Sequence, residues 1–103
     1  MNDEDRSAEV PHVFTLFQNA PNPFNLATVI RFTLARPADG RLAVYDALGR
    51  EIAVLAEGSF AVGSHTFRWD GWDNLGAPVS SGVYIYRLIA GGKSETRRML
   101  LVK

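Results

Sequence analysis

One group of potential metal ligands lies in a turn-rich stretch, residues 70–76, which reads Asp-Gly-Trp-Asp-Asn-Leu-Gly. Asp70, Asp73 and Asn74 carry hard oxygen atoms of the kind that Ca²⁺ prefers. The spacing is not that of an EF-hand loop, because no glutamate follows at the twelfth position. Asp and Asn side chains in turns also accept hydrogen bonds from nearby backbone N–H groups. We expect this second role, with no metal and no other cofactor.

Trp72, in the same stretch, could stack on a sugar or anchor a partner protein. A carbohydrate-binding face would need a planar row of aromatic side chains, and one loop tryptophan does not supply it. We therefore expect Trp72 to fold over the end of the hydrophobic core. A calcium- or carbohydrate-binding module stays an alternative.

The other reactive side chains form no catalytic group. Ser80 and Ser81 lack the adjacent base and the elbow motif of a serine nucleophile. His65 alternates with aromatic residues along a predicted strand, which is typical of a half-buried histidine with its hydrogen bonds satisfied. His12 lies in a polar N-terminal segment. We expect no enzymatic activity.

Composition narrows the possible partners. The 103 residues contain no cysteine, which excludes disulfides and thiolate metal sites, and 11 basic residues balance 11 acidic ones. A net charge of zero gives no electrostatic argument for nucleic acid, so none is expected as a partner. No apolar stretch approaches the length of a membrane span, and no signal peptide is visible, so an exported domain would take its export signal from elsewhere. Residues 1–12 are polar and aperiodic, which predicts a linker or tail before a single domain over 13–103.

Alternating apolar and polar residues predict the elements that would carry these side chains. They predict seven strands and no helix, at residues 13–17, 28–34, 41–46, 51–55, 64–69, 83–90 and 94–102. Residues 36–40 are predicted to form a turn, and residues 57–63 a loop in which Phe60 is an isolated apolar residue. Gly49 and the pair Gly91-Gly92 suit tight reversals. The pattern predicts an all-β fold, a seven-stranded antiparallel immunoglobulin-like β-sandwich.

Some side-chain directions follow from the same alternation. Ile52 and Val54 are predicted to point inward. Residues 83–90 are apolar on both faces, which predicts a central strand with cover on its second face.

A rigid corner precedes the second strand, at residues 19–25, Asn-Ala-Pro-Asn-Pro-Phe-Asn. Pro21 and Pro23 have no backbone donor, so this segment can be neither helix nor central strand. Phe24 is its one large apolar side chain. We expect Phe24 to cap one end of the core.

An ordered set of motifs resembles a known family, at residues 19–25, 28–32, 44–51, 69–76, 81–88 and 97–103. The set resembles the C-terminal sorting domain (type A) of the type IX secretion system, and it also resembles the immunoglobulin-like domain of flagellar hook-capping proteins. The first resemblance implies a non-catalytic domain that directs a larger secreted protein through the outer-membrane translocon to the cell surface or the medium, by way of the periplasm.

The implied partners are the translocon, a sortase-like surface peptidase and an N-terminal cargo domain such as a hydrolase. The residues that the resemblance assigns to sorting or partner recognition are Pro21, Asn22, Pro23, Phe24, Gly82, Tyr84, Arg97, Arg98 and Lys103. The last strand could pair with a partner's sheet edge, or its basic residues could block such pairing. The alternative function is a structural or interaction module, similar to the flagellar cap or to an accessory domain of a secreted glycoside hydrolase.

Overall fold

The computed structural model describes residues 14–103, which form seven β-strands and no helix. The strands are β1 (Phe14–Leu16), β2 (Thr28–Leu34), β3 (Ala38–Asp46), β4 (Glu51–Phe60), β5 (Gly63–Trp69), β6 (Gly82–Ala90) and β7 (Lys93–Leu101). The predicted linker over residues 1–12, with His12, lies outside the described residues. Within the described range, no helical segment has the length and apolarity to cross a membrane.

The strands form two antiparallel sheets that enclose one core. One sheet has the order β1-β2-β5, and the other has the order β4-β3-β6-β7. Outside β3 and β4, buried and more exposed residues alternate along the strands, as Ile30 and Phe32 are buried on β2 and Tyr86 and Leu88 on β6. This arrangement confirms the predicted immunoglobulin-like β-sandwich. It also confirms β6 as a central strand, although Val83 and Ile89 on its second face are 43% and 39% exposed.

Two strands are longer than predicted, because two glycines taken as turn or loop residues lie inside a ladder. β3 starts at Ala38 and β4 continues to Phe60, with Gly40 paired to Gly58. A Cβ on Gly40 would lie 2.7 Å from the carbonyl oxygen of Ile89, so glycine is needed there for strand contact. The turn predicted at residues 36–40 and the loop at 57–63 were therefore too long. Phe60 packs edge-on against the Phe32 ring, with centroids 5.5 Å apart.

Irregular pairing on β4 changes which side chains point inward. The β3–β4 register shifts twice, between Leu42 and Ala43 and between Val44 and Tyr45. As a result Ala53 is the buried residue of this segment, and Ile52 packs against the core from a half-buried position. The inward direction predicted for Val54 was wrong, because each shift breaks the strict two-residue alternation.

The chain between β1 and β2 changes sheets. Phe17 and Ala20 still hydrogen-bond β2, through Arg31 and Val29 respectively. Four residues later, Phe24 pairs in parallel with Leu101 on β7, in the other sheet. Residues 17–24 therefore connect the edge of the three-stranded sheet to the edge of the four-stranded one. This crossing brings the asparagine-proline corner against the last strand.

Candidate functional site

The corner covers part of the free edge of β7. The backbone N–H of Phe24 donates to Leu100 O at 3.0 Å, and the N–H of Val102 donates to Phe24 O at 2.8 Å. The side chain of Asn22 adds a third bond, because its Oδ1 accepts the N–H of Leu100 at 2.9 Å. Gln18 Nε2 donates to Arg98 O at 2.7 Å. The β7 edge from the Arg98 carbonyl to the Val102 N–H is thus already paired within the chain, and a partner strand cannot add there without displacing the corner.

Buried polar contacts hold the corner in shape. Asn19 and Thr28 are 3% and 1% exposed, and each of them is hydrogen-bonded. Asn19 Nδ2 donates to Thr28 Oγ1 at 2.9 Å and to Pro21 O at 3.1 Å, while the Thr28 hydroxyl donates to Pro21 O at 2.8 Å. Both proline peptide bonds, before Pro21 and before Pro23, are cis. The Pro21 carbonyl accepts hydrogen bonds from both Asn19 and Thr28, so it lies at the centre of a small closed network.

The Tyr86 hydroxyl fastens the crossing segment to β6. It donates to Phe17 O at 2.7 Å and accepts the backbone N–H of Asn19 at 2.8 Å. Burial raises the pKa of Tyr86, while the Asn19 N–H and the nearby Arg97 charge oppose that rise. Arg97 adds a further link, since its Nε donates to Leu16 O at 2.7 Å. β6 and β7 thus each contact the segment that leads into the corner.

Aromatic side chains close this end of the core. Phe24 is 3% exposed and meets Trp69 edge-on, and Trp69 meets Tyr84 edge-on, with centroid distances of 5.8 and 5.3 Å. The prediction that Phe24 caps the core is confirmed. The Tyr84 hydroxyl donates to Ser80 O at 2.6 Å, a bond back to the upstream backbone like the tyrosine corner of immunoglobulin-like sandwiches. Burial, helped by the Asp46 charge, raises the pKa of Tyr84.

The nine residues assigned to recognition from the resemblance meet at this end and edge of the four-stranded sheet, but only some are accessible. Five are exposed, namely Pro21, Asn22, Pro23, Arg98 and Lys103. Gly82 and Arg97 are half-buried, whereas Phe24 and Tyr84 are buried. The buried aromatic pair can only position the surface. A partner could touch the exposed prolines and asparagine of the corner together with the basic side chains of β7.

Two of the three candidate calcium ligands, Asp73 and Asn74, accept hydrogen bonds from the backbone. Asp73 Oδ1 accepts the N–H groups of Leu75 and Ala77, both at 2.9 Å, so this carboxylate stabilises its own turn as expected. Asn74 forms hydrogen bonds with β4, which the sequence did not indicate. Its backbone N–H donates to Ile52 O and its Oδ1 accepts the N–H of Val54, both at 2.9 Å. Asn74 thereby covers part of the β4 edge, as Asn22 covers part of the β7 edge.

The turn at residues 73–77 repeats one at residues 46–50. Asp46 Oδ1 accepts the N–H groups of Leu48 and Arg50, again at 2.9 Å. These bonds, with an ion pair to Arg50 Nε at 2.7 Å, lower the pKa of Asp46. Each turn has a glycine at its fourth position, Gly49 and Gly76, with φ near +85°. The shared pattern Asp-x-Leu-Gly was readable in the sequence and indicates a common turn with an aspartate acceptor.

Trp72 is exposed at the surface, whereas His65 is half-buried. Trp72 remains 49% exposed, so the expectation that it folds over the core was wrong in part, although its carbonyl accepts the Trp69 indole N–H at 2.9 Å. The His65 ring is half-buried, stacks on Phe32 and contacts Ala61 O through Nε2 at 2.7 Å. This environment confirms the prediction for His65. Within residues 14–103, no three acidic, histidine or cysteine side chains are placed to hold a metal ion.

The fold and its paired strand edges define an immunoglobulin-like β-sandwich with a surface built by the Asn-Pro corner and β7. The sequence model of the FlgD Ig-like domain matches residues 24–93, which is more than half of the chain. The chain therefore belongs to the family of FlgD Ig-like domains. Among curated proteins, no sequence matches it significantly.

Solved structures share the fold at low sequence identity. Dimeric latent PorU from Porphyromonas gingivalis matches with a TM-score of 0.72 and 20% identity, over 90% of this chain and 10% of PorU. PorZ, a surface component of the type IX secretion system of the same organism, matches with a TM-score of 0.60 and 20% identity, over 85% of this chain and 11% of PorZ. FlgD from P. aeruginosa matches with a TM-score of 0.54 and 22% identity, over 85% of this chain and 72% of FlgD. The chain thus spans about a tenth of PorU and of PorZ.

Proposed function

We propose that this chain is a non-catalytic sorting domain, which directs a larger secreted protein through the type IX translocon to the cell surface or the medium. The observation that carries the proposal is the pairing of the corner with β7. Three hydrogen bonds fix Asn22 and Phe24 on the last strand, beside the exposed Arg98. We expect the translocon to recognise the corner and β7 as one folded surface, because these residues, far apart in sequence, are already held together before a partner binds.

A similar structure supports the proposal. PorZ belongs to the type IX secretion system, and it contains a domain of this fold. The partners proposed here are the outer-membrane translocon, a sortase-like surface peptidase and an N-terminal cargo domain. The absence of catalysis is part of the proposal: Asp46 and Asp73 serve turns, and Tyr84 and Tyr86 serve the backbone.

An export experiment tests this role. The full chain is fused to the C-terminus of a periplasm-targeted fluorescent protein, in a bacterium that has type IX secretion. We expect fluorescence at the surface or in the medium, and retention in the periplasm both without the chain and in a strain lacking the translocon. A folded fusion that stays in the periplasm in the secreting strain would contradict the proposal.

The second candidate is a structural module like that of the flagellar cap. The family match and the similarity to FlgD favour it, because this chain covers 72% of the FlgD structure. It predicts a folded fusion that is not exported. It also predicts that a copy of the chain replaces the corresponding domain of a hook-capping protein and restores flagellar assembly. Restored assembly without export would select this alternative.

A further inference from the structure

A polar groove runs beside β7, from the corner along the strand toward Thr96. It has a volume of about 660 Å³ and is lined by Gln18, Asn22, Ile85, Thr96, Arg97 and Arg98. Two arginines and two residues with side-chain amides are among the residues that line it, and no acidic residue is. A groove with this lining attracts a ligand that carries negative charge and accepts hydrogen bonds.

Glu95, on β7, is exposed but does not line the groove, and two glutamates at the opposite edge of the four-stranded sheet are already engaged. Arg41 pairs with Glu51 at 2.6 Å and with Glu57 at 3.6 Å, on the opposite edge of the four-stranded sheet. Arg98 is exposed and lies opposite Ile85 in the β6–β7 register. Arg97 donates its Nε hydrogen to Leu16 O, which directs its guanidinium group toward the end of β1. Within residues 14–103, neither arginine has an ion-pair partner.

The backbone beside the groove can bind a strand. Arg98, Leu100 and Val102 turn their backbone groups away from β6, toward Gln18 and the corner. Because these groups alternate along a strand, Thr96 presents its N–H and C=O to the same side. Within the described residues no hydrogen bond reaches them. This open edge ends at the Arg98 carbonyl, because that oxygen accepts a hydrogen bond from Gln18 Nε2.

We infer that the groove binds an extended acidic peptide segment, which pairs with the backbone of Thr96 and places two adjacent carboxylates against Arg97 and Arg98. Adjacent carboxylates fit because consecutive side chains of a strand point to opposite faces, as those two arginines do. The inference deepens the proposed sorting function and rests on it, because it names the class of ligand that the recognition surface takes. The partner is an acidic strand-forming segment of a protein.

Titration of the purified full chain tests the inference. The probe is a capped peptide, Thr-Val-Asp-Glu-Val-Thr, and the control peptide replaces its acidic pair with Asn-Gln. We expect the acidic peptide to bind more tightly, to lose affinity with added salt, and to shift the amide resonances of Thr96 and Arg98. Equal binding of the two peptides, or shifts confined to other strands, would overturn the inference.

Two variants separate charge from strand pairing. Arg98→Gln should weaken the acidic peptide about tenfold, the value expected for one charge-assisted contact, and the matched Arg68→Gln, on exposed β5 surface, should not. Thr96→Pro removes only an outward N–H, so the fold is retained while pairing is lost. If citrate bound as tightly as the peptide and Thr96→Pro changed nothing, the groove would be a simple anion site and the peptide assignment would be wrong.

The outcome is distinct from that of the export experiment. Weakened peptide binding by Arg98→Gln in the purified chain, with export unchanged in cells, would reject the sorting use and keep the groove as a peptide site. Export that depends on Arg98, with no peptide binding, would reject the groove assignment and keep the sorting role.

Discussion

Replacing Phe24 with alanine measures how firmly the corner is built into the core. The Phe24 ring is 3% exposed and packs edge-on against Trp69, so the substitution removes a buried aromatic ring and leaves a cavity. Such changes cost about 3–5 kcal/mol. A domain of this size has a free energy of unfolding of about 5–13 kcal/mol, so Phe24→Ala should remove a large share of it.

Urea unfolding followed by tryptophan fluorescence gives the free energy directly, and Trp69 lies in contact with the altered site. The matched control is Leu26→Ala, two residues further on, because Leu26 is 78% exposed. We expect the control to change the free energy of unfolding by less than about 0.5 kcal/mol. A loss below about 1 kcal/mol for Phe24→Ala would refute the reasoning, because the corner would then be attached by its hydrogen bonds alone.

Three further changes test the contacts around the surface. Tyr86→Phe should cost about 1–3 kcal/mol in urea unfolding, because it leaves Phe17 O and the Asn19 N–H unpaired. Since burial raises the pKa of Tyr86, the wild-type chain should lose stability as the pH rises above the ordinary tyrosine value of 10.0, less steeply in this variant. Asp46→Asn should reduce the loss of stability in acid: hydrogen bonds lower the pKa of Asp46, so its contribution is present above pH 3.8 and disappears as the pH falls through the lowered pKa. Asn74→Ala should expose the β4 edge and raise aggregation measured by light scattering.

Controls keep these tests specific. The control for Tyr86→Phe is Tyr45→Phe, because Tyr45 is half-buried on the outer face of β3. The control for Asn74→Ala is Asn25→Ala, because Asn25 is exposed. If the melting temperature of Asp46→Asn fell with decreasing pH as steeply as that of the wild type, other carboxylates would be responsible for the loss of stability in acid. Equal aggregation of Asn74→Ala and Asn25→Ala would contradict edge protection.

Local rules predicted most of the fold, because most strands alternate cleanly and most of the segments between them contain glycine or proline. The hairpin at Gly91-Gly92 has positive φ at both residues, as its sequence indicated. The rules failed where glycine served close packing instead of a turn. Gly40 and Gly58 face each other inside a ladder, and a contact between distant segments decides that role.

The candidate site was only partly predictable for the same reason. The proline spacing indicated a rigid corner and an apolar plug, but the partner of the corner lies about 80 residues further along the chain. Asn22 and Asn74 read as ordinary turn residues, whereas each hydrogen-bonds the edge of a strand far from it in sequence. Local propensity carries no information about such pairing.

The most direct test of the central claim is the exported fraction of the fluorescent fusion when two exposed charges of the recognition surface are removed. The double variant Arg98→Gln and Lys103→Gln is compared with Arg36→Gln and Arg68→Gln, which removes the same charge from exposed sites elsewhere. We predict that the first fusion is folded but retained in the periplasm, while the second is exported like the wild type. Equal export of both double variants would contradict the claim that the surface formed by the corner and β7 is what the secretion machinery recognises.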